Sequence, residues 1–220
     1  MKKIKVLWLF VLCLTVSTGM SAQLKIGVLG GMNASQVHGD GFATNGLKSG
    51  FQIDAILGYH TKGHSMYISG LRFIQRGGAL RENGSPLGSY IYHQINPRLN
   101  YLEIPLKYGY DIKINNHCNL IPTIGVFWAH GISSSSSKVD YKYSFTGESK
   151  YPDIKYVSWN PYNNDYLKFN RNDFGLNAGL IMTMDKHVVI SFEYEHGLKK
   201  LQSQLKTKDS SLMLSVGYLF

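Results

Sequence analysis

Cysteine is close to absent. The 220 residues hold two, Cys13 and Cys118. Cys13 lies in an amino-terminal apolar run that reads as a removable leader, so a mature chain keeps one thiol and an intrachain disulfide is excluded. No small residue precedes Cys13 as a lipoprotein cleavage box would need, so no lipid anchor is expected. Proline is scarce, with six residues. Beyond the leader no apolar run approaches the length of a spanning helix. Lysine and arginine form no run and no basic helix, which makes nucleic acid a poor partner. Acidic side chains are in the minority, 14 against 23 basic, for a formal charge of +9. Losing Lys2, Lys3 and Lys5 with the leader subtracts three charges and leaves +6.

The leader itself is well formed. Met1-Lys2-Lys3-Ile4-Lys5 is a basic start, Val6 to Val16 an apolar stretch, and Ser17 to Ala22 a small-residue cleavage zone. We expect residues 1–22 to be a cleaved signal peptide and residues 23–220 one domain, a length that suits a single core. An exported chain without a spanning helix is either soluble outside the cytoplasm or a membrane barrel. Abundant tyrosine and glycine favour β structure.

The last residues, Ser210 to Phe220, separate these readings. Leu212, Leu214, Val216, Tyr218 and Phe220 share one strand face; Ser211, Met213, Ser215, Gly217 and Leu219 share the other, which is mostly small or polar. A full apolar face at the end of a chain needs a cover, and lipid supplies it when a strand closes a barrel. Seven further segments follow the same period: Leu24 to Met32, Phe51 to Tyr59, Ser65 to Gln75, Leu99 to Tyr110, Asn119 to Ile132, Asp173 to Met184 and Val188 to His196. Each is near the roughly 9–11 residues that cross a bilayer at a tilt. The expected fold is all-β: an eight-stranded antiparallel transmembrane β-barrel. Connections after the second, fourth and sixth segments are short; those after the first, third, fifth and seventh are long. That is the asymmetry of outer-membrane barrels.

The aromatics sort to the strand ends. Tyr59, Tyr67, Tyr108, Tyr110, Tyr218 and Phe220 fall near the short turns and form an expected periplasmic girdle. Phe51, Phe73, Trp128, Phe174 and Tyr194 fall near the long loops as an outer girdle. Aliphatic residues fill the band between. Amphipathic rings prefer headgroup depth, which gives barrels this layout.

With the strands in place, several stretches resemble the PorT-like outer-membrane β-barrel proteins of Bacteroidetes. The most specific is Tyr101-Leu102-Glu103-Ile104-Pro105-Leu106-Lys107-Tyr108. Leu24-Lys25-Ile26-Gly27-Val28, Gly31-Met32-Asn33, Gln75-Arg76-Gly77-Gly78, Phe174-Gly175-Leu176, Tyr194 with Gly197-Leu198, and Gly217-Tyr218-Leu219-Phe220 add to it. The resemblance covers nearly the whole mature chain and implies an eight-stranded barrel in the outer membrane. It implies little about activity.

The inward faces carry Asp54, Arg72, Glu103, Lys107, Asp173, Asn177, Glu193 and Glu195. Eight strands enclose a space that side chains just fill, and charges held there must pair. A polar plug is therefore expected over an ion path, with Asp54 opposite Arg72. His60 and His64, and His117 beside Cys118, meet metal-ligand spacing but fall in candidate turns, so no metal is expected. Gly27, Gly30 and Gly31 precede no helix that would present a phosphate site. Ser191 and Glu193 share a face without an inward histidine, so no catalytic residue and no cofactor is assigned.

The third long loop opens with Ser133 to Ser137 and is rich in aromatics. Val139 to Phe145 and Ile154 to Ser158 read as a hairpin extending the barrel wall. Tyr141, Tyr143, Tyr156, Trp159 and Tyr162 form a candidate contact surface for an extracellular protein or glycan. The resulting expectation is a monomeric, non-enzymatic barrel in the outer membrane, bathed in lipid and inserted by the assembly machinery that reads its last strand. The alternatives are an accessory of export or small-solute transport, a lipid-modifying enzyme, and a soluble periplasmic barrel.

Overall fold

The computed structural model describes residues 24–38, 43–44, 46–61, 63–78, 80–84, 89–96, 98–134, 137–145, 157–159, 162, 169–201 and 207–220. Its strands are β1 (Leu24–His38), β2 (Ala43–Thr44), β3 (Lys48–His60), β4 (Ser65–Gly77), β5 (Leu80–Gly84), β6 (Ser89–Asn96), β7 (Arg98–Tyr110), β8 (Ile112–Lys113), β9 (Cys118–Ser134), β10 (Ser137–Phe145), β11 (Val157–Trp159), β12 (Asn172–Met184), β13 (Val188–Gly197) and β14 (Lys208–Leu219).

Eight of these close on themselves in the order β1, β3, β4, β7, β9, β12, β13, β14 and back to β1, every neighbour antiparallel. Closure removes the open edges that a flat sheet would leave. The closing pair runs from Gly27 opposite Leu219 to His38 opposite Lys208, so the final strand does meet the first. Alternation decides the two faces. Ile26, Val28, Met32, Ile53, Ile104, Leu106, Ile124, Val126, Leu176, Leu214 and Val216 stand exposed around the outside. The residues between them point inward and are buried.

Most strands match their expected bounds within three residues. β1 is the exception, running six residues past Met32. Its extra length carries Ala34, Gln36 and His38 outside and keeps the inward alternation of Asn33, Ser35 and Val37. The β4–β7 ladder has one irregularity, for a chemical reason. Pro105 has no N–H to donate, and the ladder is interrupted between Ser69–Leu106 and Arg72–Glu103, with the register unchanged across the gap. The Ser69 hydroxyl instead donates to the Pro105 carbonyl at 2.9 Å. Gly70 lies in this gap, where a Cβ would stand 2.1 Å from the Ala55 carbonyl oxygen.

The long connections correct the sequence reading. Residues 76–98 were expected as a loop, but they hold the β5–β6 hairpin, with Leu80 opposite Ile95 and Gly84 opposite Ile91. β10 was expected to pair mainly with the strand that follows it. It meets β11 over only three residue pairs and pairs with β6 from Lys138–Asn96 to Phe145–Ser89. The result is a five-stranded sheet, β11-β10-β6-β5-β2. The β6–β10 ladder continues the β7–β9 ladder, whose last pair is Leu99–Ser134. Three of the four long connections thus contribute strands on one rim. The opposite rim has tight turns. Met184 to His187 is the shortest, closed by the His187 N–H on the Met184 carbonyl at 3.1 Å.

Candidate functional site: a sealed charged lumen

β4 places Arg72 and Arg76 four residues apart, so both point inward, one above the other. Asp54 is the cross-strand partner of Arg72, and its Oδ1 accepts from Arg72 Nε at 2.7 Å. On the other side of β4, Glu103 of β7 lies opposite Arg72 and accepts from Nη1 at 3.1 Å. The same guanidinium also crosses the lumen. Nη1 donates to Glu195 at 2.7 Å and Nη2 to Glu193 at 2.9 Å. Both acids belong to β13, four strands away around an eight-stranded ring, so one side chain ties opposite walls together.

Arg76 repeats the arrangement nearer the long-loop rim. It bonds Glu103 and Glu195 through Nη2 and Asp209 through Nη1 at 3.1 Å, with Asp173 at 3.8 Å. Its guanidinium also lies 4.8 Å from the Phe127 ring centroid and 5.6 Å from that of Tyr101, in cation–π range. Glu103 and Glu195 each reach both arginines, so these four side chains form a closed cluster. Lys107 adds a bond to Glu193 at 2.9 Å. Asn177 donates to Glu193 at 3.0 Å and to Glu195 at 2.8 Å. Gln52 donates to Ser215 at 2.5 Å on a nearby level. Sharing of this kind is what permits buried ions at all, because an unpaired charge there would be prohibitively costly.

Apolar layers close the lumen on both sides of the charged one. Toward the short turns lie Leu29, Met66, Ile68, Ile121, Ile181, Val189 and Leu219. Toward the long loops, Val37, Ile74, Leu99, Tyr101, Phe127 and Met213 are joined by Tyr162, Phe169 and Leu201 from the connections. This corrects the reading of Tyr162 as a contact residue. It is 2% exposed and faces in, because the outer mouth needs an apolar cover that the strands alone do not supply. Gly131 makes room for it: a Cβ there would lie 2.1 Å from the Tyr162 hydroxyl. Arg171 stacks 4.7 Å over its ring and donates to the Gly131 carbonyl at 3.1 Å. Burial pushes the Tyr162 phenol up to about 12. Backbone bonds latch it, with the Asn170 N–H on the Leu201 carbonyl at 2.6 Å and the Leu201 N–H on the Thr207 carbonyl at 2.7 Å.

All the acids and bases singled out by alternation are therefore gathered in one layer. Two members were missed, Arg76 and Asp209. Each falls in an expected loop because the third strand is ended too early, at Gln75, and the last is begun too late, at Ser210. Parity would have found both: Arg76 shares the face of Arg72, and Asp209 shares that of Ser211 and Met213. Among the other candidates, Tyr141, Tyr143 and Trp159 lie on β10 and β11, with side chains outside what is described. Tyr156 lies outside the described residues altogether.

Most outward aromatics sit toward the strand ends; Phe192, exposed in the middle of β13 opposite Leu214, does not. At the short-turn rim Tyr67 and Tyr108 are 5.7 Å apart, and Tyr218 is 5.5 Å from Phe220 and stacked 5.2 Å from His187. Tyr110 stacks against His64 at 5.5 Å, and Tyr59 is half-buried. At the long-loop rim Phe51 and Phe73 are 5.5 Å apart, and Phe174 pairs with Trp128. Tyr194 is exposed on the outer face of β13, opposite Leu212. The turn histidines are engaged locally: His117 lies 2.7 Å from Asp185 and His60 3.8 Å from Asp111. Among the described residues no group of three potential ligands is placed to hold a metal.

A closed eight-stranded antiparallel barrel, apolar outside and ionic inside, defines the protein as one of the small membrane barrels. Residues 19–203 match the family described as outer membrane protein beta-barrel domain, and the chain belongs to that family. Similar solved structures include the attachment invasion locus protein Ail of Yersinia pestis, at 19% identity and a TM-score of 0.45, covering 90% of this chain and 99% of that one. Neisserial surface protein A is similar at 11% identity and a TM-score of 0.43, with 89% and 97% covered. The N-terminal barrel of Pseudomonas aeruginosa OprF is similar at 8% identity and a TM-score of 0.32, with 90% and 100% covered. None of the curated proteins compared with the chain matches it.

Proposed function

We propose that the protein is a non-enzymatic outer-membrane surface protein, in which a filled barrel anchors a sheet of long connections that meets the outside. The observation that carries this reading is the five-stranded sheet. Strands from three connections pair with one another on one rim, above a lumen closed by two apolar layers and an ionic one. A barrel that packs its interior this way leaves solute transport without a path among the described residues. The ordered material beyond the wall is then the part available for contact. Its partner is an extracellular protein or glycan.

The short turns face the periplasm in this reading, and the chain works as a monomer. Export by a leader over residues 1–22 is supported by its basic start and apolar run. The terminal strand ending in Phe220 is the element that the barrel assembly machinery reads. Within its family we place the chain with the PorT-like barrels of Bacteroidetes, on the strength of the Tyr101 to Tyr108 segment. The test replaces residues 138–158 by a short Gly-Ser turn. Adhesion of expressing cells to immobilised glycans and matrix proteins should disappear, while the detergent-extracted barrel keeps its heat-modifiable gel migration. Adhesion that survives the replacement would contradict the reading.

A further inference from the structure

The short-turn mouth of the barrel holds a cavity of about 580 Å3. Lys25 of β1, Lys113 of β8 and Lys186 of the β12–β13 turn line it, together with His117. Asn116, Asn119 and Thr183 complete the wall, and no acidic side chain lines it among the described residues. The three lysines arrive from separate parts of the ring. None of them lies within ion-pair distance of a carboxylate among the described residues. The two acids nearby are engaged elsewhere. Asp111 accepts from Asn119 at 2.8 Å and lies 3.8 Å from His60, and Asp185 is held by His117 at 2.7 Å.

Depth makes this a site and not an entrance. Two residues further in from Asn119 and Thr183 stand Ile121 and Ile181, which belong to the apolar floor. An ion that enters meets lysines and then a dry wall. Low-dielectric walls around charges of one sign focus the field and raise the local concentration of the opposite ion. The turn also holds Lys186 in an unusual way. Asp185 and Lys186 have φ of 47° and 66°, the left-handed pair of a type I′ hairpin, which asparagine and glycine fill most readily.

We propose that this mouth binds a phosphate-bearing anion, with Lys25, Lys113 and Lys186 supplying the charge and Thr183 a hydroxyl. Lysine suits the role because its ammonium recognises phosphate as a point charge without a fixed fork. The orientation proposed above puts the site in the periplasm. The phosphate belongs either to a free anion or to a phospholipid headgroup of the inner leaflet.

The experiment uses the full mature chain, folded in zwitterionic detergent and titrated with inorganic pyrophosphate in a calorimeter. Binding should be saturable and should weaken as salt rises. Lys25→Gln/Lys113→Gln/Lys186→Gln should weaken it by about tenfold or more, and Lys186→Gln alone by about threefold. Lys199→Gln/Lys200→Gln, on the opposite rim, should leave it unchanged. Heat-modifiable migration checks that each variant is folded. Monomeric dihexanoyl phosphatidylglycerol and glycerol phosphate are titrated in parallel. Tighter binding of the lipid assigns the site to a headgroup, and equal binding assigns it to a free anion. No saturable binding of any of the three, or an equal loss in the Lys199/Lys200 control, overturns the proposal.

Discussion

The two faces of one barrel wall follow different rules. Leu214 and Met213 are adjacent on β14; one is 58% exposed around the outside and the other 1% exposed in the lumen. The outer face asks only for apolar character, because lipid conforms to any shape offered. The inner face asks for particular partners, because each charged group there is paired with an opposite charge on another strand. Substitutions outside should therefore be judged by polarity, and substitutions inside by which bonds they orphan.

The largest effect is expected from Arg72→Ala. It leaves Asp54 without a cation and takes one of two cations from each of Glu103, Glu193 and Glu195, and removing one partner of a buried ionic network costs about 3–5 kcal/mol. The temperature at which gel migration shifts should fall sharply, and an unshifted temperature would deny that the lumen is held this way. Leu214→Arg asks the outer face to take a charge near its middle, at about 2–4 kcal/mol. Folding yield into vesicles reads this, and wild-type yield would mean that the face does not meet lipid.

Smaller effects refine the contrast. Tyr162→Ala removes a ring from the outer cover, at about 1–3 kcal/mol. Loss should be local, with faster amide exchange at Gly131 and Asn170 and a gel-shift temperature lowered less than by Arg72→Ala. Equal lowering would make the cover part of the barrel's main stability. Ile124→Val exchanges one lipid-facing aliphatic for another and should change stability by under about 0.5 kcal/mol. A larger change would show that packing constrains the outer face as well.

The same contrast explains what could be read from residues alone. Alternation with a period of two is a local signal. It located all eight wall strands and sorted Asp54, Arg72, Glu103, Lys107, Asp173, Asn177, Glu193 and Glu195 to one side. It could not say that Glu193 and Glu195 reach Arg72, because those contacts span 121 and 123 residues and depend on ring closure. Strand ends were the weak point. Gly77 and Gly78 made β4 look finished at Gln75, which hid Arg76. The β5–β6 hairpin was missed although Tyr90-Ile91-Tyr92 carries β-branched and aromatic residues suited to a strand, because the segment was already assigned as a loop by connection length. Tyr162 was read as exposed because it stands among polar neighbours. Its burial comes from a mouth that only the assembled ring creates.

The central claim is that the barrel interior is structural and closed, so that function belongs to the surfaces beyond the wall. Conductance of the refolded mature chain in a planar lipid bilayer tests this most directly. The account predicts insertion without stable open steps, since the ionic layer and both apolar layers fill the lumen. Steady, discrete conductance from the wild-type protein would contradict it.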